Sequence, residues 1–263
     1  MKNWQISALL GILILGFLLA GGCSSTVSPG TPSQPTTSTV TIATAPVPPT
    51  LVSTTAVPTT AMAFSTNEIN KHFVDIAFDP DNAYINKWEL DFVDIGISGA
   101  YTDADIIMLN NFTQLFNKYS SVELLEVKKD RVTANIVLRF MPESGLQAIE
   151  TENSWKIYKN RETGDIIFVY TKTPDTPKSE TIFINSDFKG DERTHWILRA
   201  LLYGLGFHGE SGNYPDSIFY SGSGTTTSLS KIDLKVVELM YGKKIYNGMD
   251  LTDVQELLLI DNE

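Results

Sequence analysis

Five residues in one stretch carry groups able to hold a ligand or an ion: His195, Arg199, Tyr203, His208 and Glu210. The first three are four apart, so on a helix they share one face. Gly206 supplies a turn, and His208 and Glu210 follow it where they could point back at that face. Two chemistries compete. His195, His208 and Glu210 offer three donors, the number a catalytic zinc uses when it keeps one position open for water; Arg199 would then hold an anion beside the ion. Against this, a guanidinium has no lone pair to give and repels a cation. The plainer reading is a polar cleft in which Arg199 pairs with Glu192 or Glu210 and the side chains satisfy one another. The third His of the chain, His72, lies far away in sequence.

The stretch Thr194 to His208 resembles the active-site helix of metzincin-type zinc proteases, whose pattern is H-E-x-x-H-x-x-G-x-x-H. With the family's Gly on Gly206, the first His falls on Arg199, the Glu base on Ala200, the second His on Tyr203 and the third His on Gly209. The apolar frame and the Gly turn fit; all four chemical positions do not. Two more segments resemble that family. Ser228 to Gly242 looks like its C-terminal helix, and Ser217-Ile218-Phe219-Tyr220 stands where it places a Met-containing turn. A nearer resemblance is to the exported domain-of-unknown-function family 2927. It is carried by Lys87-Trp88, Asn135-Ile136, Leu205-Gly206, Glu210-Ser211, Ser217-Ile218-Phe219, Met240-Tyr241 and Gly248-Met249, and it spans roughly Asn67 to Met249. The chain departs from that family at Arg199 and Tyr203, where Glu and Gln are expected. The resemblance implies an α+β, zincin-like fold: a mixed β-sheet packed on a long helix, a degenerate active-site helix and a C-terminal helix. It brings no settled activity with it; the residue types at Arg199, Ala200, Tyr203 and Gly209 are what leave no metal and no cofactor expected.

Other reaction classes find little support. There is no G-x-S-x-G elbow, P-loop or dinucleotide fingerprint. Gly222-Ser223-Gly224 has no helix start directly after it, so it is a poor phosphate cradle. Asp79-Pro80-Asp81-Asn82 is a turn without the register of a calcium loop. Asn111-Phe112-Thr113 is a glycosylation sequon that falls on an expected helix.

The elements that must position the cleft are legible from periodicity. Asn67 to Ala77 reads as a helix. Trp88 to Ser98 reads as a strand with Trp88, Leu90 and Phe92 on one face. Thr102 caps a helix reaching about Ser120, carried by Ile106, Leu109, Phe112, Phe116 and Tyr119, with Asp103 and Asp105 in its first turn. Val122–Val127 and Val132–Phe140 are β-rich. Trp155–Tyr158 and Asp165–Lys172 form a hairpin around Arg161 to Gly164, and Thr181–Asn185 is a short strand. The cleft helix begins at Thr194. Ser230-x-x-Asp233 opens a helix to Tyr241, and Thr252-x-x-Gln255 caps a last one. Strands and helices do not alternate strictly, which favours α+β over a doubly wound sheet.

The N-terminus carries targeting information. Residues 1–22 read as a secretory leader: Lys2, an apolar run from Ile6 to Ala20, then small residues. Leu19-Ala20-Gly21-Gly22-Cys23 resembles a lipobox with its Leu one place early, which makes Cys23 the expected lipid attachment point. Cys23 is the only cysteine of the 263 residues, so disulfides and thiolate zinc sites are excluded once it is acylated. Residues 23–63 form a Thr/Ser/Pro-rich tether with no charged side chain after Cys23, too polar to order itself. Residues 64–263 are the globular domain. The net charge of −11 disfavours nucleic acid and anionic lipid as partners. The combined expectation is a lipid-anchored domain facing outside the cytoplasm, a non-catalytic binding or interaction module for an envelope protein or peptide. The alternative is a peptide hydrolase built from His195, His208 and Glu210.

Overall fold

The computed structural model describes residues 64–150, 155–171, 179–222 and 225–260. The leader, Cys23 and the whole of the tether lie outside the described residues. Six helices and eight strands run in the order α1 (Thr66–Ala77), β1 (Phe92–Val93), β2 (Ile95–Gly99), α2 (Asp103–Phe116), β3 (Glu123–Leu124), β4 (Lys128–Lys129), β5 (Ile136–Met141), α3 (Glu143–Glu150), β6 (Trp155–Lys159), β7 (Ile166–Thr171), β8 (Glu180–Asn185), α4 (Gly190–Gly204), α5 (Lys231–Met240) and α6 (Leu251–Ile260). The fold is a mixed α and β one, as the resemblance implied.

The main sheet has the order β4-β2-β5-β8-β7-β6. Its first four strands are parallel, and β7 and β6 are antiparallel additions. The inner parallel strands β2, β5 and β8 are mostly buried, whereas the edge strand β4 is exposed. Side-chain alternation assigns the layers. Phe168, Tyr170, Ile182 and Ile184 join the large core with α4, while Val169 and Phe183 point the other way and pack with Leu146 of α3. The far edge strand, β6, has β7 as its one strand neighbour among the described residues.

Three helices start as the sequence dictates. Ser65/Glu68, Thr102/Asp105 and Ser230/Asp233 each form reciprocal capping boxes. Helix C-termini are closed by residues from afar. Lys87 Nζ donates to the carbonyls of Met240 (3.0 Å) and Ile245 (2.6 Å), Trp88 Nε1 donates to Gly204 O at 2.8 Å, and Tyr241 Oη donates to Leu205 O at 2.7 Å. Carbonyls left over at the ends of α4 and α5 are thereby satisfied inside the core.

Several expectations need correction. The Trp88–Ser98 strand is two short strands, and its proposed face does not exist: Trp88 is buried while Leu90 and Phe92 are exposed. Trp88 was drawn inward by Gly204 rather than by strand alternation. α2 stops at Phe116, short of Ser120. α4 starts at Gly190, so His195 lies a full turn inside it. α6 is capped by the reciprocal Asp250/Asp253 pair, not by Thr252 and Gln255. α3 has no counterpart among the sequence expectations.

Candidate functional site

α4 crosses beneath β8, β5 and β7, and its buried face places Arg199 and Tyr203 under the β6–β7 end of the sheet. The chain turns at Gly206, whose φ of 94° and close approach admit no side chain: a Cβ there would sit 2.1 Å from Asn86 O. It then passes the end of α1, where Gly209 N donates to Ile76 O at 2.9 Å. A Cβ on Gly209 would lie 2.1 Å from Asp75 O and 2.3 Å from Phe78 O. The position that aligns with a third metal-ligating His is thus barred to any side chain by the backbone of α1. Ala200, in the place of the Glu base, is fully buried among apolar neighbours.

Arg199 is the centre of the site. It is 2% exposed. Its Nη2 donates to Gly209 O at 3.2 Å and to Tyr158 Oη at 3.4 Å, and its guanidinium lies 5.0 Å from the ring centre of Phe219. Nη1 has no partner. Burial pulls the guanidinium down to about 10, with the charge of Asp233 opposing, so it stays cationic at neutral pH. The expected pairing with Glu192 or Glu210 does not form. Glu210 Oε2 instead lies 2.6 Å from Arg161 Nη2, an ion pair by distance whose angle makes no hydrogen bond. Burial raises the Glu210 carboxyl above its usual range.

The other sequence-picked residues separate. His195 Nδ1 donates to Thr226 O at 2.8 Å, and burial lowers its imidazole to about 4. His208 accepts on Nδ1 from Asn82 Nδ2 at 2.5 Å, and burial likewise holds it at about 4. Both are neutral at pH 7. Tyr203 stacks edge-on with Tyr158, Phe168, Tyr170 and His208; burial, against the pull of Lys156, lifts its phenol to about 12. Among the described residues no three His, Asp or Glu side chains converge to hold a metal ion. His195, His208 and Glu210 therefore do not assemble the displaced zinc site, and the residues at the metzincin positions do not fit a zinc ion.

What the fold does assemble is a cleft in two lobes along β6. One, about 350 Å³, is lined by Tyr158, Arg161, Trp196, Arg199, Glu210 and Tyr220, with others. The second, about 370 Å³, is lined by Asp75, Asp79, Asp81, Lys156, His208 and Glu210, with others. Tyr158, Lys159, Arg161 and Glu210 border both. In the second lobe Lys156 is salt-bridged to Asp79 and lies 3.5 Å from Asp81, which offsets one of the two negative charges of the turn considered for calcium.

Sequence reasoning missed one buried cluster. Ser217 Oγ donates to Asp233 Oδ1 at 2.6 Å and lies 3.4 Å from His72 Nε2, which is 3.3 Å from the same carboxylate oxygen. Ser, His and Asp together suggest a nucleophile, but all three are fully buried and the Ser proton goes to Asp, not to His. Asp233 Oδ2 also accepts from Ile218 N and Ser230 N. The cluster pins the 217–220 turn, and hence Phe219 under Arg199, to α5. The Ser230-x-x-Asp233 box was visible in sequence; its long-range partners were not.

Comparison with known families gives one match: the model described as "Protein of unknown function (DUF2927)" covers residues 66–259, and the chain belongs to that family. No curated protein matches significantly. Two solved structures, "Structure of Myroilysin" and "Crystal structure of myroilysin", are similar at 12% identity each, with TM-scores of 0.38 and 0.35. They cover 63% and 69% of this chain and 87% and 97% of their own.

Proposed function

We propose that this member of the family is a binding module without HExxH zinc chemistry, held outside the cytoplasm by lipid on Cys23, and that its cleft takes an extended peptide segment of an envelope partner along β6. The observation that carries this is Arg199: a buried cation with no hydrogen-bonded carboxylate among the described residues lines the first lobe, at a position where hydrolytic zinc chemistry would need a lone-pair donor. The barred position at Gly209 supports the same reading, since no side chain can restore the third ligand. The outer edge of β6 pairs with no other strand among the described residues and borders both lobes, so a peptide there could add a strand through backbone hydrogen bonds. Lys2, the apolar run and Cys23 support the membrane attachment.

The test is to purify the full chain, measure bound zinc by atomic emission, and incubate it with a peptide library read by mass spectrometry for retention and for cleavage. Peptides retained uncut, and weakened when alternate amides are N-methylated, are the expected result. One tightly held zinc per chain, with cleavage lost on chelation, refutes it. Cys23→Ala should shift the chain from the detergent to the aqueous phase on partitioning.

A further inference from the structure

The first lobe of the cleft is lined by two residues whose buried donors have no partner among the described residues. Arg199 Nη1 is one. The other is the indole N–H of Trp196, three residues earlier on α4; its side chain is 8% exposed and Nε1 has no partner. Both residues line the same cavity of about 350 Å³. A buried donor left unpaired costs roughly 1–3 kcal/mol, more for a charged group, so two in one cavity is a standing demand for an acceptor. The acceptor should also carry negative charge, because among the described residues no carboxylate hydrogen-bonds the guanidinium and Asp233 acts on it only through space.

We infer that this lobe is a carboxylate-binding pocket in which Arg199 Nη1 and Trp196 Nε1 donate to a carboxylate of the bound peptide. The charge at the site selects a single negative charge. Glu210 and Arg161 border the cavity as an ion pair, Oε2 to Nη2 at 2.6 Å, and so add little net charge. One guanidinium, offset in part by Asp233, is matched by the one charge of a carboxylate and over-matched by a phosphate dianion. The inference rests on the peptide-binding reading above and deepens it by naming the group recognised.

The carboxylate could be a peptide's C-terminus or an Asp or Glu side chain. Full-length protein is therefore titrated calorimetrically with a peptide carrying a free C-terminus, its C-terminal amide, the amide with an internal Glu, and inorganic phosphate. Binding of the free acid but not the amide identifies the C-terminus; binding of the Glu-containing amide identifies a side chain. Either supports the pocket if Trp196→Phe, which keeps the ring and removes the N–H, weakens binding about tenfold, the equivalent of one such hydrogen bond. Arg199→Met should abolish the carboxylate preference. Because it replaces an unpaired buried charge by an apolar chain of similar length, it should hold or raise the melting temperature. Phosphate binding in place of carboxylate overturns the inference, as does a carboxylate preference indifferent to both variants. Amidated peptides that bind uncut regardless of Arg199 overturn the pocket while leaving the β6 reading standing; no peptide binding at all removes both.

Discussion

Glu180 opens β8 with its carboxyl 2% exposed, where Tyr170 Oη donates to Oε1 at 2.6 Å and Oε2 is unpartnered. Burial raises it from 4.5 to about 8, the Tyr170 hydrogen bond opposing. Between pH 4.5 and 8 the folded protein keeps a proton that the unfolded chain has released. Stability must therefore fall as pH rises through that window. At pH 7 the span is about 2.5 pH units at roughly 1.4 kcal/mol each, on the order of 3 kcal/mol. Glu180→Gln preserves the shape and can accept from Tyr170 but cannot ionise. Urea unfolding of both proteins from pH 5 to pH 9 reads the difference directly. The expected curves coincide near pH 5 and separate by about 3 kcal/mol at pH 7, roughly 6–12 °C in melting temperature for a domain of this size, with a plateau above pH 8. Curves that stay parallel at every pH would mean that water or a cation reaches the carboxylate, and the reasoning would fail.

Two further outcomes follow from the site. His195 and His208 are held at about 4 by burial against 6.5 when unfolded, so each contributes stability that is complete above pH 6.5 and lost as pH falls through 4. The acid limb of the unfolding curve should be shallower in His208→Gln, and an unchanged limb would show that His208 is solvated. Gly209→Ala should cost more than about 3 kcal/mol in chemical unfolding, because its Cβ must displace two carbonyls of the α1 end, while Gly212→Ala, whose Cβ would meet only Ser221 Oγ at 3.8 Å, serves as the neutral control.

The edge of the site was legible before the structure, and its interior was not. Arg199 and Tyr203 were placed on one helix face by four-residue spacing; the structure brings Arg199 to the cleft wall and buries Tyr203 behind it among Tyr158, Phe168 and Tyr170. Glu210 was expected to meet Arg199 and meets Arg161 instead, because the hairpin loop between β6 and β7 carries Arg161 over the chain after Gly206. Trp196 went unremarked, since an indole in an apolar helix reads as core; only its unpaired N–H marks it as part of a pocket.

Local chemistry settles what is local. The three capping boxes, the β6–β7 hairpin and the absence of donors at Arg199, Ala200, Tyr203 and Gly209 can be read from residue types, since each depends on neighbours a few positions away. Burial, and therefore every shifted titration, depends on which distant segments close over a group. Packing of remote segments against α4 left Arg199 Nη1 and Trp196 Nε1 without acceptors, and the end of α1 alone made Gly209 irreplaceable. Desolvation and steric exclusion are properties of the assembled interior, and no spacing along the chain encodes them.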